Sequence, residues 1–266
     1  MNCINCGTEV VGKYCPNCGQ PSPPRKITLG HMYHDFQARI YGFDGMFPRT
    51  LKDITVRPGK AARSFIDGNR VQYYGPVGYF FLMITVLLLL MRLLDVDLTL
   101  FVKASGKSGL SPQPKEGSGQ AKFMEITFQF ISDNLKLIAF ILIPMQAFVS
   151  RFLFFRKRGL NFLEHAVLPF YIQGHLYWMS ILSVIYFKIS GDFFANWLTI
   201  AVGFFYFAYA SADLFGDQHK VKAFIKGLGV YLVSQFLFVV VVTIIMGIVF
   251  TVNPELMKLV RPSNNP

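Results

Sequence analysis

Charge is scarce in this chain of 266 residues: Asp, Glu, Lys and Arg make up only 15% of it, where a soluble domain carries about a quarter. Beside 53% hydrophobic and 16% aromatic residues, that shortage excludes a disordered chain and points to lipid. Acidic residues are scarcer than basic ones, 15 against 26, which leaves a net charge of +11. No P-loop, nucleotide-binding glycine fingerprint, HExxH pair or nucleophile elbow is present, so no familiar catalytic signature is available. The first twenty residues are polar and Cys-rich, lack the apolar run of an exported segment, and so lead us to expect a cytosolic amino end. No internal repeat stands out.

What is abundant is apolar sequence in long runs, with Phe 28 the extreme. Crossing roughly 30 Å of hydrocarbon takes about 20 helical residues, and five stretches qualify: 76–94, 137–155, 166–187, 193–212 and 228–252. The expected fold class is therefore mainly α, a polytopic helical membrane protein of about five spans over 76–252. A flexible loop at 98–122 and a tail at 253–266 would complete it. Lys and Arg crowd the segment before the first span, the loop with Arg151, Arg156, Lys157 and Arg158, and the loop with Lys220, Lys222 and Lys226. By the positive-inside rule those regions face the cytosol and the carboxyl end faces away from it. The positive balance is explained by topology without invoking nucleic acid.

The 98–122 loop is rich in Gly, Ser and Pro, as a flexible linker is. Behind it, residues 123–136 mix Phe123, Ile126 and Phe130 with Glu125 and Asp133, the pattern of a short interfacial helix or of an extension of the second span. Pro144 is expected to kink the second span, and Pro169 to sit in the first turn of the third.

All four cysteines fall in a segment of residues 1–22, as Cys3-x-x-Cys6-Gly7 and Cys15-x-x-Cys18-Gly19. Two such knuckles can aim four thiolates at one ion, the tetrahedral sulfur set that Zn²⁺ accepts. Iron is the main rival, and disulfide bonding the alternative that a reducing cytosol disfavours. Four thiolates leave no open coordination position, so one structural zinc is expected, holding together a ribbon with almost no core of its own. Tyr14 and Lys13 are its only aromatic and its only cation, a composition that favours a protein partner over nucleic acid.

Residues 25–75 place Met32, Phe36, Ile40 and Phe43, then Phe47, Leu51 and Ile54, at helical spacing, with breaks at Gly45, Pro48, Pro58 and Gly68. Two or three short amphipathic helices follow, lying in the headgroup layer or packed under the spans. Arg57, Lys60, Arg63 and Arg70 are the candidate contacts to membrane lipid phosphates.

The run Tyr14-Cys-x-x-Cys-Gly-Gln20, then Thr50-Leu51-Lys52-Asp53, Arg57-Pro58-Gly59, and Ile66-Asp67-Gly68-Asn69-Arg70 with Tyr73 and Pro76, resembles an uncharacterised bacterial family. Its members are multi-span membrane proteins with an amino-terminal zinc ribbon and a domain of unknown function. The resemblance covers roughly residues 1–90. It implies a bacterial inner-membrane location and bound zinc, and brings no activity or catalytic residues.

Two polar groups remain. His175 is expected near mid-bilayer, with Tyr171, Gln146 and Gln235 able to share its interior, as a polar path for a transporter or lipid-handling protein or as one interhelical hydrogen bond. At the cytosolic rim, Glu164, His165, Asp213, Asp217 and His219 could form a metalloenzyme site or merely serve helix ends. The preferred reading is a scaffold or regulatory component of an envelope system, not an enzyme, with a homo-oligomer compatible with its aromatic surfaces.

Overall fold

A computed structural model describes residues 1–23, 28, 46–106, 115, 118–192, 196–216 and 219–253. The tail beyond 253, Asp217 and the amphipathic run at 32–43 lie outside the described residues.

Nine helices follow a small cysteine-rich head among the described residues: α1 Met46–Val56, α2 Pro58–Ile66, α3 Pro76–Leu93, α4 Leu98–Gly106, α5 Gly119–Asp133, α6 Leu135–Val149, α7 Phe162–Ser190, α8 Asn196–Phe215 and α9 Lys220–Val252. Pro58 and Pro76 each open a helix, where the missing N–H costs nothing. Asn134 separates α5 from α6, and Asn161 with Glu164 forms the capping box that starts α7.

Four helical stretches are long and apolar enough to cross a membrane: Pro76–Leu93, Leu135–Phe154, Leu198–Phe215 and Lys220–Val252. The chain is thus a mainly α-helical membrane protein, but the third expected span is not among these four. The reason is its position. α7 is the central helix, and polar residues such as Gln173 and His175 lower its hydropathy, while their contacts with protein side chains keep it in the bundle. α7 runs parallel to α3: Tyr171 donates to the Tyr74 carbonyl at one end, and Lys188 donates to the Leu94 carbonyl at the other, at 2.7 Å each. α6 and α8 run antiparallel to α7 through short connections, and α9 returns beside α8.

The core sits where α3, α7 and α8 meet, with Tyr79, Met83, Leu87, Leu168, Tyr171, Ile172 and Phe207 almost fully buried. A second cluster of Phe80, Ile143, Ala147, Ala166 and Phe170 joins α3, α6 and α7. α9 lies at the edge, with Leu232, Phe236, Val239, Ile244 and Ile248 exposed.

Three boundaries differ from expectation for local reasons. α9 begins at Lys220, eight residues early, because its first two turns carry lysines on an exposed helical face. Residues 98–106 form α4, not loop; this helix packs on α5 through the Lys103–Glu125 ion pair at 2.8 Å and a bond from Thr99 to Gln129. Pro169 is inside α7 and not in its first turn, since α7 starts at Phe162. Pro144 lies within α6, whose register slips into a π turn at Ser150–Phe154.

Candidate metal centre and the joint beneath the first span

The head is a duplicated knuckle. Cys3 to Cys15, Cys6 to Cys18 and Gly7 to Gly19 are each offset by 12 positions, and the backbone repeats with them. Gly7 and Gly19 donate to the carbonyls of Cys3 and Cys15 at 2.9 Å, while Cys3 and Cys15 donate to those of Thr8 and Gln20 at 2.9 and 2.8 Å. The bridges Asn2–Glu9 and Tyr14–Pro21 keep the same offset. The cysteine spacing shows the two knuckles, but outside the cysteines and the shared Asn-Cys-Gly the two halves differ in sequence, so the match of their backbones is visible only in the structure. Gly7 and Gly19 have φ of +74° and +71°, which a side chain would strain.

The four Sγ atoms lie within 4.8 Å of one another, with Cys3–Cys18 and Cys6–Cys15 at 3.5 Å. Tetrahedral metal–sulfur bonds of about 2.3 Å require sulfurs roughly 3.8 Å apart, so the set could hold one metal ion. None of the four is in a disulfide. The Thr8 hydroxyl and backbone hold the Cys6 thiol down at about 6, and Asn5 lowers Cys18. Burial pushes Cys15 up to about 11, so a metal must displace its proton.

Among the described residues the head reaches the helical body through Gln20. Gln20, buried although it belongs to a small exposed module, donates its side-chain N–H to the Gly68 carbonyl. Gly68 lies in the loop between α2 and α3, and that loop belongs to a tightly tied joint. Asp53 accepts from Nε and Nη2 of Arg57 at 3.1 Å each and from the Tyr73 hydroxyl at 2.8 Å. Burial works against the Asp53 carboxylate, but the Arg57 and Tyr73 hydrogen bonds and the charges of Arg57 and Lys52 outweigh it and lower its pKa. Burial, reinforced by Asp53, pushes Tyr73 up to about 12, so it remains a donor. Thr50 accepts from the Tyr74 N–H at 2.8 Å.

α8 grips the same joint with three residues on one face. Tyr206 donates to the Ile54 carbonyl and Tyr209 to that of Val56, satisfying the last carbonyls of α1. Asp213 accepts the Lys60 N–H at 2.8 Å, satisfying the first turn of α2. A Cβ on Gly59 would come within 2.2 Å of the Leu214 nitrogen, so only glycine allows this approach of α2 to α8.

His175 lies on this level. It meets Tyr79, the fourth residue of α3 and roughly 5 Å along that helix from its start, so it sits near one end of the first span and not midway. Thr55 donates to the Leu51 carbonyl at 2.7 Å, which leaves its oxygen to accept from His175 Nε2 at 3.3 Å. Nδ1 then accepts from Tyr79 at 3.0 Å, and a neutral imidazole is fully engaged. The expected companions are elsewhere: Gln146 faces Gln173, two residues and about 200° round α7 from His175, and Gln235 lies on α9, one turn after Tyr231. Tyr171 binds the Tyr74 carbonyl. The partners Thr55, Tyr79 and Tyr206, whose ring lies 5.7 Å from that of His175, carried no sequence signal because they come from three separate elements.

The rim residues are likewise dispersed. Glu164 completes the capping box, and His165, buried, meets Ser150 at 2.9 Å and stacks on Phe215. His219 precedes α9 and is exposed, Asp213 caps α2, and Asp217 lies outside the described residues. Among the described residues the four cysteines are the one His, Cys, Asp or Glu group that could hold a metal. Of the candidate lipid contacts, Arg57 pairs with Asp53, Arg63 donates to the Leu214 carbonyl, Arg70 stands 5.9 Å over the Phe65 ring, and Lys60 offers its backbone N–H to Asp213.

A family described as "Protein of unknown function (DUF3667)" matches residues 44–88, the stretch that holds α1, α2, the loop from α2 to α3 and most of α3. No curated protein and no solved structure matches the chain. Thr50, Asp53, Gly59, Gly68 and Tyr73, all in that stretch, are the residues that tie the joint together.

Proposed function

We propose that this is a multi-pass protein of a bacterial inner membrane, acting as a scaffold or regulatory component of an envelope system, with a structural zinc ribbon in the cytosol. The observation that carries this reading is the closed set of four sulfurs within 4.8 Å: four thiolates satisfy a tetrahedral zinc and leave no position for substrate. Zinc would supply folding free energy to a module whose buried core is little more than Cys3, Val10 and Cys15. Five crossings are supported by α7, which keeps company with α3 from Tyr74 to Leu94 and so must cross wherever α3 does. The cationic loops favour a topology with the amino end inside and the carboxyl end outside.

Transport through His175 has less behind it, because both ring nitrogens are spent on hydrogen bonds and Gln146 faces Gln173 on another side of α7. A rim metalloenzyme has less still, since Glu164 and Asp213 serve helix starts. The test is a pull-down from native membranes with the full chain and with Cys3→Ser plus Cys6→Ser. The reading expects a protein partner retained by the former and lost by the latter; identical partners in both would count against a regulatory ribbon.

A further inference from the structure

The two knuckles are equivalent in backbone but not in what they touch. At the repeated position, Thr8 turns back to its own Cys6 thiol at 3.3 Å, whereas Gln20 reaches across to Gly68. Gln20 follows Cys18-Gly19 directly, and its carbonyl holds the Cys15 N–H. Its placement therefore depends on the second knuckle keeping its shape, and an isolated knuckle keeps its shape only while its thiolates share an ion. On the other side, Gly68 and Asn69 are buried although they are loop residues. Their amides bond to Phe65 and Ser64, and the Asn69 side chain to Gln72 at 2.6 Å. Four and five residues after Asn69, Tyr73 and Tyr74 tie the loop to Asp53 and Thr50 and lead into α3.

We infer that the second knuckle is a metal-dependent latch: while loaded, it holds the 67–70 loop through Gln20, and on metal loss it frees the segment that leads into the first span. The ribbon thus gives the membrane domain a way to register metal supply or thiol chemistry in the cytosol, and its ligand is a segment of its own chain. The inference rests on the zinc reading above and adds a consequence that the reading does not require.

Hydrogen exchange on the full chain in lipid nanodiscs, with and without a zinc chelator, tests it, with metal content measured on the same samples. Chelation should speed exchange of the Gly68–Tyr73 amides roughly fivefold or more, the factor expected for loss of one buried hydrogen bond, while α9 amides stay unchanged. Trypsin should cut faster after Arg70 in the same sample. Gln20→Ala should keep one zinc yet show the fast loop exchange with metal bound, and chelation should add nothing further there. If Gln20→Ala sheds its metal, Gln20→Glu, which keeps the bulk and loses the amide donor, takes its place. A loop unmoved when the ribbon loses zinc, or still protected in a zinc-loaded Gln20 variant, would overturn the latch and leave the structural zinc site standing. Purified chain holding no metal and paired cystines would overturn the zinc reading itself.

Discussion

Asp213 and Lys60 are 153 residues apart, yet the carboxylate of one accepts the backbone N–H of the other at 2.8 Å. With Tyr206 and Tyr209 on the same face of α8, this contact makes the α1–α2 joint a part of the membrane bundle and not an appendage of it. Asp213→Ala removes the cap and should cost about 1 kcal/mol of stability, read as a lowered melting temperature in detergent. Gly59→Ala should cost more, because its Cβ has 2.2 Å to the Leu214 nitrogen and the contacting atom is backbone. An unchanged melting temperature for Gly59→Ala would mean that α2 does not rest on α8.

Asp53 sets a pH limit on the same joint. Its folded-state pKa is lowered, so the stabilisation it gives is complete above the unfolded value of about 4 and is lost as pH falls through the lower, folded value. Wild-type melting temperature should therefore fall more steeply than that of Asp53→Asn once pH drops below about 4. Asp53→Asn should also be less stable at pH 7, by about 1–2 kcal/mol, since Arg57 and Tyr73 lose an ionic acceptor. Parallel pH profiles would assign the acid sensitivity to other groups.

Metal loading should also weaken in acid, here because protons compete with the metal for the thiolates. Burial pushes Cys15 up to about 11, while Cys6 at about 6 is already largely thiolate at neutral pH. Acid competes with the metal for these sulfurs, so the apparent zinc affinity should weaken steadily from pH 8 to pH 5 in a competition titration with a chromophoric chelator. A flat profile across that range would be incompatible with four thiolate ligands.

His175 ties α1, α3 and α7 through Thr55 and Tyr79. His175→Ala should lower stability by about 1–2 kcal/mol without abolishing insertion, measured as the detergent melting temperature of the purified variant. A variant as stable as wild type but with an altered growth or flux phenotype would return the polar-path reading to first place.

How much of this could be read from residues alone depends on the range of the interaction. The spans and the cysteine set are local patterns, legible as apolar runs and as Cys-x-x-Cys spacing. α7 was legible as a helix, but its depth was not: the run from 166 to 187 hides that the helix starts at Phe162, and only the pairing of His175 with Tyr79 shows which end of the bundle the histidine occupies. α4 was obscured by the linker composition that follows it. The grip of Tyr206, Tyr209 and Asp213 joins elements about 150 positions apart, and no periodicity within either element encodes it. Gln20, by contrast, stood in the sequence beside its cysteine, but its use depends on where Gly68 comes to rest.

Metal analysis of the chain purified from membranes tests the central claim most directly. One zinc per chain is expected, falling to none in Cys3→Ser plus Cys6→Ser. A preparation without zinc, or one in which the metal survives removal of those two thiols, would contradict it.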